Sequence, residues 1–151
     1  MLDLKEENIK MKNIIILKGE PNSGKSETLK DYLPPLLSAK KGQRAIIFRE
    51  ENILIIRRSI HESHDWKKVI EKIINCEYKI IVIAAWLDNL VQESAFIKKT
   101  LENILGNRGF IFHQVSTTKR EKIEDRNNDH HKCAKEIMNH IDAIISKKIK
   151  L

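Results

Sequence analysis

A chain of 151 residues has room for one ordinary domain and little for a second core, and its balance of 41% hydrophobic and 32% charged residues excludes wholesale disorder. The longest apolar run, residues 80–87, falls well short of the roughly 18 residues a membrane helix needs, and the mixed-charge residues 1–10 do not form a secretory signal, so a soluble cytoplasmic protein with no membrane contact is expected. The net charge of +7 suits a polyanion, but residues 1–75 carry 15 Lys/Arg against 11 Asp/Glu and residues 76–151 carry 13 against 10, so no basic arm marks nucleic acid as the partner.

Met11 heads a phrase that reads as a natural start, which makes residues 1–10 an N-terminal extension and residues 11–151 the expected single domain. Residues 13–18 are a β-branched run of the kind buried on both faces of a parallel sheet. A helix is expected over residues 26–37, with Leu29, Leu33, Leu36 and Leu37 on one face and Pro34 and Pro35 breaking it. Two short strands, 45–49 and 53–58, joined through Glu50, Glu51 and Asn52, predict a hairpin. Asp65 can cap a helix carrying Trp66, Val69, Ile70, Ile73 and Ile74, after which residues 79–85 supply another fully apolar strand. A helix over 89–105, a strand over 109–115, a polar segment over 116–129 and a last helix with Ala134, Ile137, Met138, Ile141, Ile144 and Ile145 complete the chain. The order favours an α/β fold, a three-layer sandwich with a mainly parallel sheet and one antiparallel hairpin.

The chemistry is concentrated between the first strand and the first helix. Gly19, Glu20, Pro21, Asn22, Ser23, Gly24, Lys25 and Ser26 satisfy G-x-x-x-x-G-K-[ST] in the strand-to-helix setting that the pattern requires. Glycines let the backbone curl round a phosphate, successive amides converge on its oxygens, and the helix N-terminus adds partial positive charge. Lys25 is expected to point at the β- and γ-phosphates with no core contact, and the Ser26 hydroxyl to coordinate Mg²⁺. Glu27 follows as a carboxylate on the helix N-terminus and completes the expected nucleotide-binding set.

On these residues the chain resembles the P-loop NTPase superfamily, firmly over residues 13–33. More loosely, through the phrase Asn22-Ser23-Gly24-Lys25-Ser26, the following hairpin, the apolar strand after residues 75–78 and the closing helix, it resembles small bacterial P-loop ATP-binding proteins. The resemblance implies ATP and Mg²⁺ as ligands. A guanine-selecting Asn-Lys-x-Asp phrase is missing, which favours ATP over GTP.

One departure from the superfamily concerns the carboxylate that normally ends a buried strand and holds the Mg²⁺ shell or polarises water. The expected strand 79–85 ends in alanines, and the first carboxylate is Asp88, which serves equally as a catalytic group or as the N-cap of the next helix. Glu50 and Glu51 read as solvated turn residues, and one of Arg57 and Arg58 can face a phosphate. Lys119, Arg120, Lys122 and Arg126 fall in the polar segment, as a plain loop or a lid. His61, His64, His130, His131 and His140 lack strong metal spacing and read as structural or surface groups, and Cys76 and Cys133 as inert thiols. Three functions stay open: a weak ATPase using Lys25 and Asp88, a small-molecule or nucleotide kinase, and a nucleotide-gated module acting with a protein partner.

Overall fold

The structure, a computed structural model, describes residues 12–19, 23–57, 66–86, 109–117 and 122–149. The expected N-terminal extension, the helix over 89–105, Asp65, Arg58, Lys119 and Arg120 lie outside the described residues.

Five strands form one sheet: β1 (Asn13–Gly19), β2 (Ala45–Phe48), β3 (Glu51–Ile56), β4 (Ile80–Trp86) and β5 (Ile111–Ser116), in the spatial order β2-β3-β4-β1-β5. β1 lies between β4 and β5 and runs parallel to both, with Ile15 opposite Val82 and His113. β3 joins β4 in parallel, and β2 turns back antiparallel to form one edge. The sheet is therefore mixed, mostly parallel with one antiparallel pair, and the fold is α/β.

Successive side chains alternate between the two faces. Ile15, Leu17, Ile53, Ile55, Val82, Ala84 and Val115 fall on one, and Ile14, Ile16, Leu54, Ile81, Ile83 and Ala85 on the other. Helices cover both, which explains why β1 and β4 read as unbroken apolar runs. Helix α1 (residues 25–36) and the C-terminal helix α3 (Ile123–Ile149) pack on the first face, and α2 (Trp66–Asn75) covers the second through Ile70 and Ile73. Each fully buried Ile or Leu contributes about 1.5–3 kcal/mol.

Helix α1 is continuous but not uniform. It starts as an α-turn at Lys25–Glu27, widens to π-type spacing over Thr28–Tyr32 and returns to α over Leu33–Leu36. The prolines account for this: Pro34 has no N–H to give the Lys30 carbonyl, which instead accepts from the Gly42 amide at 2.7 Å.

Three sequence expectations change. The hairpin turn is tighter than the Glu50-Glu51-Asn52 connection: Arg49 and Glu50 alone form it, both at positive φ (50° and 69°), and Glu51 is already paired with Phe48. Positive φ at both central residues suits the twist of a two-residue hairpin, here without glycine. The segment 116–129 is not a plain loop, because α3 begins at Ile123 and places Arg126 on a helix. Its first two turns are polar and exposed, so no apolar stripe announces them. The stripe itself starts earlier than Ala134, with His130 and Cys133 both buried. Among the described residues no helix is long and apolar enough to cross a membrane.

Candidate functional site at the carboxyl end of the first strand

β1 delivers Gly19 to the carboxyl edge of the sheet, flanked by Trp86 of β4 in register and by Thr117, whose amide bonds the Lys18 carbonyl at 2.8 Å. Open α/β sheets bind ligands at this edge. Two glycines set the loop that follows. A Cβ at Gly19 would lie 2.5 Å from Ser23 Oγ and 2.6 Å from Thr117 Cγ2. Gly24 sits at φ 92°, a left-handed conformation that side chains resist, and a Cβ there would come within 2.1 Å of His130 Nε2.

Gly24 is also the N-cap of α1 and supplies no side chain, so the amides of the first turn carry no side-chain cap. The Gly24 carbonyl accepts from the Thr28 amide at 2.9 Å and the Thr28 hydroxyl at 2.8 Å, which fixes the loop-to-helix junction. Lys25 is only 5% exposed, and its Nζ folds back to donate to the Gly19 carbonyl at 3.0 Å. Lys25, expected to point at the ligand with no core contact, is therefore buried and bonded to the last residue of β1. The bond ties the start of α1 to the end of β1.

Ser23 Oγ is buried without a hydrogen-bond partner among the described residues. Ser26 and Glu27 are exposed on the first turn. An ammonium, uncapped helix amides, a buried hydroxyl and the positive end of α1 thus converge, an arrangement that favours an anion with several oxygens. The residues present fit a nucleotide polyphosphate: Lys25 and the uncapped first turn of α1 supply donors, and the orphaned Ser23 hydroxyl gains a partner.

The carboxylates read as solvated turn residues and the candidate arginine lie away from the loop. Glu50 and Glu51 lie at the amino end of β3, whereas Gly19 lies at the carboxyl end of the parallel β1, so the sheet separates them from the loop. Arg57 follows the carboxyl end of β3, two strands from β1, or about 10 Å laterally. Glu20, Pro21, Asn22 and Asp88 lie outside the described residues.

The structure adds residues that sequence reasoning missed. Thr117, 2% exposed, packs against Gly19 and donates to Asp129 Oδ2 of α3. One residue on, His130 packs against Gly24, stacks on the Tyr32 ring at 5.3 Å and approaches Glu27 Oε2 at 3.7 Å. Extending the apolar stripe Ile137, Ile141, Ile145 back by one heptad from Ile137 reaches His130, so the signal was present in the period. Beside it the Cys133 thiol reaches the Ser116 carbonyl at 3.6 Å, and burial pushes its pKa from 9.0 up to about 11.

Comparison of the chain with family models, with curated proteins and with solved structures gives no match. The functional reading therefore rests on the residues themselves.

Proposed function

We propose that this protein binds ATP with Mg²⁺ through a P-loop formed by residues 19–27, within a three-layer sandwich of the P-loop NTPase type. The observation that carries the reading is Lys25: its ammonium is held inside the glycine loop by the Gly19 carbonyl, at the uncapped N-terminus of α1.

In this reading the loop amides and Lys25 hold the β- and γ-phosphates, and the Ser26 hydroxyl is a ligand of Mg²⁺, which supplies charge neutralisation along the phosphate chain. Lys25 stabilises charge that develops on the γ-phosphoryl oxygens. Hydrolysis is slow, because β4 ends on Ala84, Ala85 and Trp86 and offers no rigid strand-end carboxylate. The candidate to orient water is Asp88, two residues beyond the Trp86–Gly19 pairing in sequence.

The test is thermal unfolding with and without millimolar MgATP. Wild type gains stability as RT ln(1 + [L]/Kd), about 2.7 kcal/mol when the ligand stands at a hundred times Kd. A folded wild type whose melting temperature ignores MgATP sinks the reading. Asp88→Asn lowers phosphate release by about ten-fold, the scale of one positioned acid–base group, while Glu50→Gln and Glu51→Gln change it little. Equal phosphate release from Asp88→Asn and wild type removes Asp88 from the mechanism.

A further inference from the structure

The C-terminal helix touches the glycine loop at one point, and the contact is unfinished. His130 is 2% exposed, yet neither ring nitrogen has a hydrogen-bond partner among the described residues. Buried polar groups are rarely left so, and each exception asks for a reason. Nε2 occupies the space beside Gly24 that a side chain would fill, and it stands 3.7 Å from Glu27 Oε2, just beyond hydrogen-bond reach. Glu27 belongs to the first turn of α1, next to the Lys25 and Ser26 amides. The same part of α3 is tied to α1 by the Tyr32 hydroxyl donating to Asn127 Oδ1 at 3.0 Å, and to the residue after β5 by Thr117 and Asp129.

We propose that His130 is a positioning residue that couples phosphate binding at the first turn of α1 to the seating of α3: with phosphate on the amides of that turn, Glu27 draws up to His130 and accepts from its Nε2–H. The proposal rests on the P-loop reading and names the regulation of that same site. The gap to be closed is under 1 Å relative to an ordinary hydrogen bond, so a small shift of the first turn suffices. Because Asn127, Asp129 and His130 share one turn of α3, the bond firms the surrounding segment 123–133. The helix then reports whether nucleotide is bound, which is what a module acting through a partner requires.

The experiment combines MgATP titration with amide hydrogen exchange of residues 123–133 in wild type, His130→Phe and His130→Gln. Phe keeps a ring against Gly24 and Tyr32 but has no nitrogen; Gln keeps a donor that can reach Glu27. Wild type is expected to show several-fold slower exchange over 123–133 on adding MgATP. His130→Phe binds MgATP about ten-fold more weakly, a loss of hydrogen-bond size, without the exchange response, and His130→Gln regains part of both. MgATP binding to wild type with an exchange response that His130→Phe shares, at whatever affinity, overturns the coupling and leaves the P-loop reading standing. No MgATP binding by folded wild type overturns both.

Discussion

Buried lysines stand just beyond both ends of β1, Lys12 before it and Lys25 after the glycine loop, and their surroundings could hardly differ more. At the amino end Lys12, 8% exposed, donates to the Ile73 carbonyl at 3.0 Å, the Ile74 carbonyl at 3.1 Å and the Cys76 carbonyl, with its ammonium 5.7 Å from the Phe110 ring centre. These carbonyls belong to the end of α2, where the helix dipole is negative and the last acceptors lack intrahelical partners. One side chain satisfies the helix terminus and its own charge together. The carboxyl end is unfinished by comparison: Ser23 Oγ and both His130 nitrogens are buried without partners, beside two glycines whose Cβ positions are already taken. A buried lysine whose donors meet the end of a helix is a structural rivet. Under the proposed reading, the buried Lys25 stands on the side of the sheet where polar groups are left unmet because a ligand seats there.

That contrast breaks most sharply at Lys12. Lys12→Ala removes charge-assisted bonds worth about 1.5–3 kcal/mol each, not additively, and leaves the α2 carbonyls unmet. The urea midpoint is expected to fall by the equivalent of about 3 kcal/mol, with less lost in Lys12→Met, which keeps the aliphatic stem. The stabilisation gained from MgATP should not change in either variant. An unchanged midpoint would show that water serves those carbonyls as well as Lys12 does.

Gly24→Ala comes next, at about 2 kcal/mol, because alanine is strained at φ 92° and its Cβ meets His130. This variant is expected to lose stability and MgATP binding together, since the loop cannot keep its shape. His130→Ala in the same chain relieves the clash but not the backbone strain, so a double-mutant cycle should recover part of the loss. Lys25→Ala inverts the Lys12 pattern: stability without ligand stays within about 1 kcal/mol of wild type, while the gain from MgATP disappears. Were Lys25→Ala to destabilise the free protein as much as Lys12→Ala, the upper lysine would be a second rivet.

These residues also show how much was legible beforehand. The order of the described elements, the burial of β1 on both faces and the position of the glycine loop followed from apolar runs and one spaced motif, because local patterns encode them directly. Lys12 carried no signal, since its partners lie more than sixty residues away along the chain. His130 was legible only as a member of a helical stripe, and a histidine there did not look apolar. The polar first turns of α3 were mistaken for loop because an exposed helix face has no hydrophobic period to read. The two-residue hairpin turn escaped notice for want of glycine at Arg49 and Glu50.

The smallest effect is expected at Cys133, where the upper end of β5 meets α3. Burial raises this thiol from 9.0 to about 11, opposed by its hydrogen bond with Thr117 and reinforced by the charges of Asp129 and Glu136. The folded pKa lies above the unfolded one, so the native state holds the proton more tightly, and the thiol's contribution to stability is fully present below pH 9.0 and lost as pH rises toward 11. Stability curves of wild type and Cys133→Val should therefore run parallel from pH 7 to 9 and converge or cross above it, by a differential of about 1 kcal/mol. Iodoacetamide provides an independent check: in the folded protein the half-buried Cys76 is alkylated first, and Cys133, protonated and enclosed, reacts only on unfolding. Rapid labelling of Cys133 in folded protein would show that the junction of β5 and α3 opens readily, and the tight packing of α3 on Gly24 would then be a transient contact.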